Sequence, residues 1–158
     1  MRDPEGFCAA AEKARERGVP VVAIKTARTA LSKRMAVSHS GALAGDDAVR
    51  AMGGAWRAMV AEHPGLYAAT DRYPCSSDAE LAAAVERVVQ MLGQALAGYG
   101  LADDERIHAA RTLRSAFHGF AHLEAGDGHP FALDLDDSFD RMVVLLCAGI
   151  RQMATVSA

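Results

Sequence analysis

The residues best suited to chemistry fall in two places. In the first 45 positions Lys25 precedes, and Arg28, Lys33 and Arg34 stand within, the stretch TARTALSKRMAVSHSGALAG, among small residues and glycines. A loop of that composition is where phosphate handling would lie, with backbone N–H groups and cations turned to the oxygens, and His39 sits inside it. Farther on, Arg111 and Arg114 lie three residues apart. On a helix that spacing puts both guanidinium groups on one face, where they hold an acidic ligand or pair with Glu124, Asp103 or Asp104. No Ser-His-Asp or Cys-His arrangement for nucleophilic catalysis is visible, and most carboxylates stand in turns or at helix starts, where capping accounts for them. Cys8, Cys75 and Cys147 are far apart and read as small hydrophobes, and no HxxxH, HxxE or CxxC ligand set is expected among the histidines and cysteines. Neither a metal site nor a cofactor is expected.

The length of 158 residues suits one ordinary domain, and 51% hydrophobic with 23% charged residues is enough to fill a core. The apolar runs, MVVLLCAGI among them, are far short of the roughly 20 residues that span a bilayer. MRDPEGF carries no apolar signal core, so a soluble, cytoplasmic protein without membrane contact is expected. Charge divides the chain. Residues 1–45 hold eight Lys or Arg against four Asp or Glu, a balance of about +4, whereas residues 46–158 hold nine against sixteen, about −7. An acidic second part has no electrostatic reason to bind a phosphate backbone, and position 45 becomes a boundary.

The elements that must position these residues change kind at the same boundary. Asp3, Pro4 and Glu5 open a helix whose face is Phe7, Ala10, Ala11 and Ala14, and Gly18 ends it. VPVVAIK then reads as a strand buried on both faces, and the basic loop follows. From Asp46 the period is helical throughout. Val49, Met52, Trp56, Met59 and Val60 make one stripe, ended by His63, Pro64 and Gly65; a short helical piece is expected at LYAAT. Ser77 and Glu80 form a capping box ahead of Leu81, Val85, Val88, Val89, Leu92 and Leu96. Asp103 starts a third helix with Ile107, Ala110, Leu113, Phe117, Phe120 and Ala121 inward, and a last one begins near Asp137 or Ser138 and runs to Met153. Val144, Leu145 and Cys147 widen its apolar stripe, and a helix apolar on two sides needs two partners, here the chain's own core and a second copy. The fold class is mainly α, with residues 155–158 a tail.

Residues 46–154 resemble the C-terminal ligand-binding and dimerisation domain of TetR-type transcriptional regulators, in the branch known for a WHG motif. The matching residues are Trp56, Arg57, His63, Pro64, Gly65 and Tyr67; then Arg111, Arg114, His118, Gly119, Leu123 and Glu124; then Asp137, Ser138 and Phe139. Residues 1–45 resemble a fragment of the NDP-forming acyl-CoA synthetases, relatives of the succinyl-CoA ligase α subunit, through Phe7, Pro20, Val21, Val22, Lys25 and the run SHSGALAG. That family uses a histidine at the position of His39 as a phosphate carrier. Ala27 replaces the glycine usual in its loop, and the partner domains of such an enzyme have no room here.

The resemblances imply a regulatory helical bundle and no enzyme, with His39 a residual catalytic alternative. An apolar or amphipathic small-molecule effector would meet Trp56, Met59, Tyr67, Arg114, Phe117 and His118, although His118 also reads as a helix-packing residue. A homodimer would form through Phe120, Phe139, Val143, Leu146 and Ile150. Residues 1–45 show no helix-turn-helix pattern, so no direct DNA binding by this chain alone is expected, and a join between two gene fragments is placed at Ala44 to Val49.

Overall fold

The computed structural model describes residues 29–31, 33, 44–64, 67 and 79–156. Every regular element among them is helical: α1 (Asp46–Glu62), α2 (Ala79–Leu96), one 3-10 turn (Ala97–Tyr99), α3 (Asp103–Ala125) and α4 (Leu135–Val156). The bundle predicted from the 3.6-residue period is therefore present. The helix and strand expected before Lys25, the Ser77 cap and most of LYAAT lie outside the described residues.

Packing centres on α1, which lies against α2, α3 and α4. Three partners explain why it buries a broad face, from Ala48 and Val49 through Met52 and Gly53 to Trp56, Met59 and Val60. Gly53 matters because a Cβ there would fall 2.6 Å from Cε1 of Phe117 and 3.0 Å from Cζ of Phe139. Its missing side chain lets two rings from α3 and α4 lie against the α1 backbone.

Both ends of α1 are fixed by backbone geometry. Gly45 enters at φ 72°, which favours glycine, and its N–H donates to the Ala95 carbonyl at 3.1 Å. A Cβ on Gly98 would stand 2.9 Å from the Gly45 nitrogen, so the 3-10 turn and the start of α1 approach through glycine on both sides. At the other end His63 leaves helical geometry just ahead of Pro64, which disfavours α conformation in the residue before it.

Two expectations shift in detail. Ile107 was expected inward, yet Ala109, Leu113, Phe117 and Ala121 face the core and Ile107 is half exposed, because it lies about 200° round the helix from Ala109. The last helix starts at Leu135 rather than near Asp137 or Ser138. The Asp134 carboxylate accepts the backbone N–H groups of Asp136 at 2.7 Å and Asp137 at 3.2 Å, so Asp134 is the cap.

A third difference concerns the first segment. Residues 29–31 and 33 are helical where a loop was expected, and Leu31 is buried in the same core cluster as Val49, Trp56 and Leu96. Leu31 is a large apolar side chain in a run of small and polar residues, too isolated to give a period, yet its burial ties that segment to the bundle.

Candidate functional site

Trp56 on α1, Tyr67 beyond its end and His118 on α3 form a polar chain inside the apolar core. The Trp56 indole N–H donates to the Tyr67 hydroxyl oxygen, and that hydroxyl shares a 2.8 Å hydrogen bond with Nδ1 of His118, its direction following the imidazole tautomer. Trp56 and Tyr67 are buried while His118 is half-buried, so the chain leads from the core toward the surface. Rings continue it in both directions. Trp56 meets Tyr67 edge-on with centroids 6.4 Å apart, Phe117 lies 6.4 Å from Trp56 and 6.2 Å from Phe139, and His122 stacks on His118 at 5.7 Å. His118 and His122 make an HxxxH spacing on α3, which corrects the expectation that the chain holds none. Among the described residues no cluster of three metal-ligating side chains includes them.

Of the residues expected to line a pocket, Trp56, Met59, Tyr67, Phe117 and His118 do come together here, the first four as core. Arg114 does not join them, because it points into solvent from the outer side of α3. His39 lies outside the described residues.

Next to Trp56 on α1 and about 100° round the helix, Arg57 makes the principal ion-pair group. Its Nε and Nη2 donate to the two Glu124 carboxylate oxygens at 2.6 and 2.5 Å, and Nη1 donates to Asp136 at 2.6 Å. The guanidinium also lies over the rings of Phe120 and Phe139, 5.6 and 5.2 Å from their centroids. One side chain thus ties α1 to the end of α3 and the start of α4. The Glu124 carboxylate holds the Arg57 pKa above its ordinary value, outweighing partial burial, which acts to lower it. Expected pairing of Arg111 or Arg114 with Glu124, Asp103 or Asp104 is corrected accordingly: Glu124 is held by Arg57, and Asp103 faces Arg106 at 3.4 Å. The motif residues Arg57 and Glu124 were legible, but their 67-residue separation gave no sign of contact.

An open groove of about 530 Å³ runs beside this clamp, lined by Arg50, Gly54, Arg57, Ala58, Ala61, Glu124, Asp136, Phe139 and Asp140. Arg50 is paired with Asp140 at its rim. The groove shares none of the six expected pocket residues, so the polar chain and this groove are separate features of α1.

At the opposite end of α1 the Asp46 carboxylate accepts the Tyr99 hydroxyl at 2.8 Å and the Arg151 guanidinium on both oxygens. Arg151 foremost, then Tyr99, hold the Asp46 carboxyl below the usual carboxylate range. Burial, then hydrogen bonding to Cys147 and Asp46, pushes the Tyr99 phenol well above its ordinary value. The network fastens the first turn of α1 to the 3-10 turn and to the last third of α4.

Placement of the expected dimer residues needs correction. Phe139, Val143 and Ile150 are buried within the chain's own core, and Phe120 and Leu146 pack against it. The last two helices show the outside a different set: Val144 at 54% and Leu145 at 73% exposure, with Ile107 and Leu123 about half exposed. Both sets are apolar, and a shift of one residue moves a side chain 100° round the helix, so the choice of inner face rested on a single register.

The comparisons with known proteins agree with the helical reading. Residues 49–146 match the family described as tetracyclin repressor-like, C-terminal domain, and residues 1–63 match the succinyl-CoA ligase like flavodoxin domain. The two matches overlap over residues 49–63, most of which belong to α1 and its packing in the bundle. An uncharacterized HTH-type transcriptional regulator of Mycobacterium tuberculosis is 38% identical over 111 residues, 70% of this chain and 50% of that protein. The chain thus spans about half the length of the curated relative it matches. No described helix is long and apolar enough to cross a membrane. The tetracyclin repressor-like match covers more than half of the sequence, and the chain belongs to the tetracyclin repressor-like C-terminal domain family.

Proposed function

We propose that the helical block receives a small-molecule signal and dimerises within a transcriptional regulator, with the effector meeting the Trp56–Tyr67–His118 chain. The observation that carries the reading is that chain itself: hydrogen-bonding groups set in an apolar, aromatic surround between α1 and α3. Ligand sites combine apolar walls with a few placed polar groups, and an apolar or amphipathic effector suits such a surround. Two copies associate through the outer sides of α3 and α4, around Val144 and Leu145, where apolar side chains stand open. Residues 1–45 supply no recognition helix in this reading, so operator contact is not assigned to this polypeptide alone.

Trp56 is the single tryptophan of the chain, which makes its emission a local probe. The test is a titration of the intact chain with a panel of amphipathic carboxylic acids and aromatic hydrocarbons, following Trp56 fluorescence and the thermal midpoint together. A true effector shifts both, and Tyr67→Phe weakens the response. A compound that raises the midpoint while leaving Trp56 emission unchanged would place the effector elsewhere.

A further inference from the structure

Two arginines of α1 reach across to α4 and leave a groove between them. Arg50 pairs with Asp140 and Arg57 with Asp136, so α1 and the start of α4 run antiparallel with an ion pair at each end of the gap. The arginines are seven residues apart and the two aspartates four, spacings that keep each pair on one face of its helix.

The floor of the gap is small and apolar. Gly54 lies between the two arginines, Ala58 and Ala61 continue the floor along α1, and Phe139 closes the α4 side. A Cβ on Gly54 would meet nothing within 4 Å, whereas the neighbouring Gly53 has to be bare to admit the Phe117 and Phe139 rings. Glycine inside a helix is less stable than alanine, and no packing contact within the protomer offsets this at Gly54. What the missing side chain provides is open floor. The groove holds about 530 Å³, inside the range of roughly 300–1,000 Å³ typical of small-molecule sites.

Charge decides which kind of molecule fits. Three carboxylates, Glu124, Asp136 and Asp140, and two guanidinium groups, Arg50 and Arg57, line the groove, which leaves one negative charge in excess. Arg57 already donates Nε, Nη1 and Nη2 to carboxylates, so an incoming anion has to break one of those bonds. Asp136 and Asp140 each commit one oxygen to an arginine, and neither second oxygen has a hydrogen bond among the described residues. Their side chains are 84% and 63% exposed, within reach of a donor entering from solvent. Residues 46–158, with nine basic against sixteen acidic side chains, add a field that draws cations.

We infer that this groove is a second ligand site, for a small organic cation whose ammonium group sits between Asp136 and Asp140 and whose alkyl or aryl body lies along Gly54, Ala58 and Ala61. The inference does not depend on an effector at the Trp56–Tyr67–His118 chain. A ligand held there touches both α1 and α4, so it reinforces the bridge made by Arg57 and raises the thermal midpoint as it saturates.

The test titrates the intact chain with hexylammonium and, separately, with hexanoate, following the backbone amide resonances and the thermal midpoint. Hexylammonium shifts the Gly54, Ala58, Asp136 and Asp140 amides to saturation and raises the midpoint, less so as salt is added, while hexanoate leaves those amides in place. Gly54→Leu fills the floor where no protomer atom stands, and it weakens hexylammonium binding about tenfold or more without lowering the midpoint of the free chain. Asp140→Asn weakens binding about two- to fivefold, the effect of an exposed ion pair. Hexanoate binding at the same amides overturns the charge assignment. Hexylammonium binding that Gly54→Leu leaves unchanged, or the absence of saturable shifts at these amides, overturns the site. Shifts there that follow protein concentration with no ligand added make the groove a contact between copies and overturn the ligand reading.

Discussion

On the inner side of the α3–α4 hairpin, Leu113, Phe117, Val143 and Ile150 are closed off by α1 and by one another; on the outer side Val144 and Leu145 stand open to water. Adjacent residues of one apolar run, Val143 and Val144, therefore have opposite roles. Apolar character alone identifies helices with two interested partners. Which side is internal is decided by α1, whose Gly53 admits the Phe117 and Phe139 rings and whose Arg57 grips both Glu124 and Asp136. Inner contacts set protomer stability, and outer ones are available for association.

The largest test of this division is Phe117→Ala. Truncating a buried ring that touches Trp56 and Phe139 costs about 3–5 kcal/mol in urea unfolding. Next comes Leu31→Ala, with an expected loss of about 2–5 kcal/mol, because Leu31 is buried in the same cluster. An unchanged midpoint would make residues before α1 an appendage to the bundle.

Smaller still is Arg57→Met. It leaves Glu124 without its bidentate partner and removes the bridge between α1 and α4, for about 1–3 kcal/mol by thermal or urea denaturation. The smallest effect is the acid limb of Asp46. Its folded pKa lies below that of an unfolded Asp, about 3.9, so the folded state binds fewer protons near that pH. The stabilisation is complete above the unfolded value and is lost as pH falls through the depressed folded one. Asp46→Asn flattens that limb in melts between neutral and strongly acid pH, leaving neutral stability little changed, because the Arg151 pair is exposed.

Much of the bundle was readable from local signals. Helix period placed α1 and α3, and His63-Pro64 and the glycines of EAGDG marked their ends. Local signals failed where a long-range partner decided the outcome. Asp134 is as good a cap as Asp137 by type, and only the backbone path of the turn selects it. Glu124 had nearer candidate partners in Arg111 and Arg114, and the approach of α1 awarded it to Arg57. Leu31 gave no period at all. The polar chain was partly legible, since Trp56, Tyr67 and His118 all stand in the motifs shared with TetR-type regulators, but the bonds joining them depend on how α1 lies across α3.

The central claim is that the outer side of α4 is held for a second copy. The most direct measurement is the solution mass of the intact chain beside Val144→Asp/Leu145→Asp, by light scattering across concentration, with a melt of each. A dimeric parent and a monomeric variant that still melts cooperatively is the predicted result, because both side chains lie outside the core. A parent that is monomeric throughout, or a variant that remains dimeric, would contradict it.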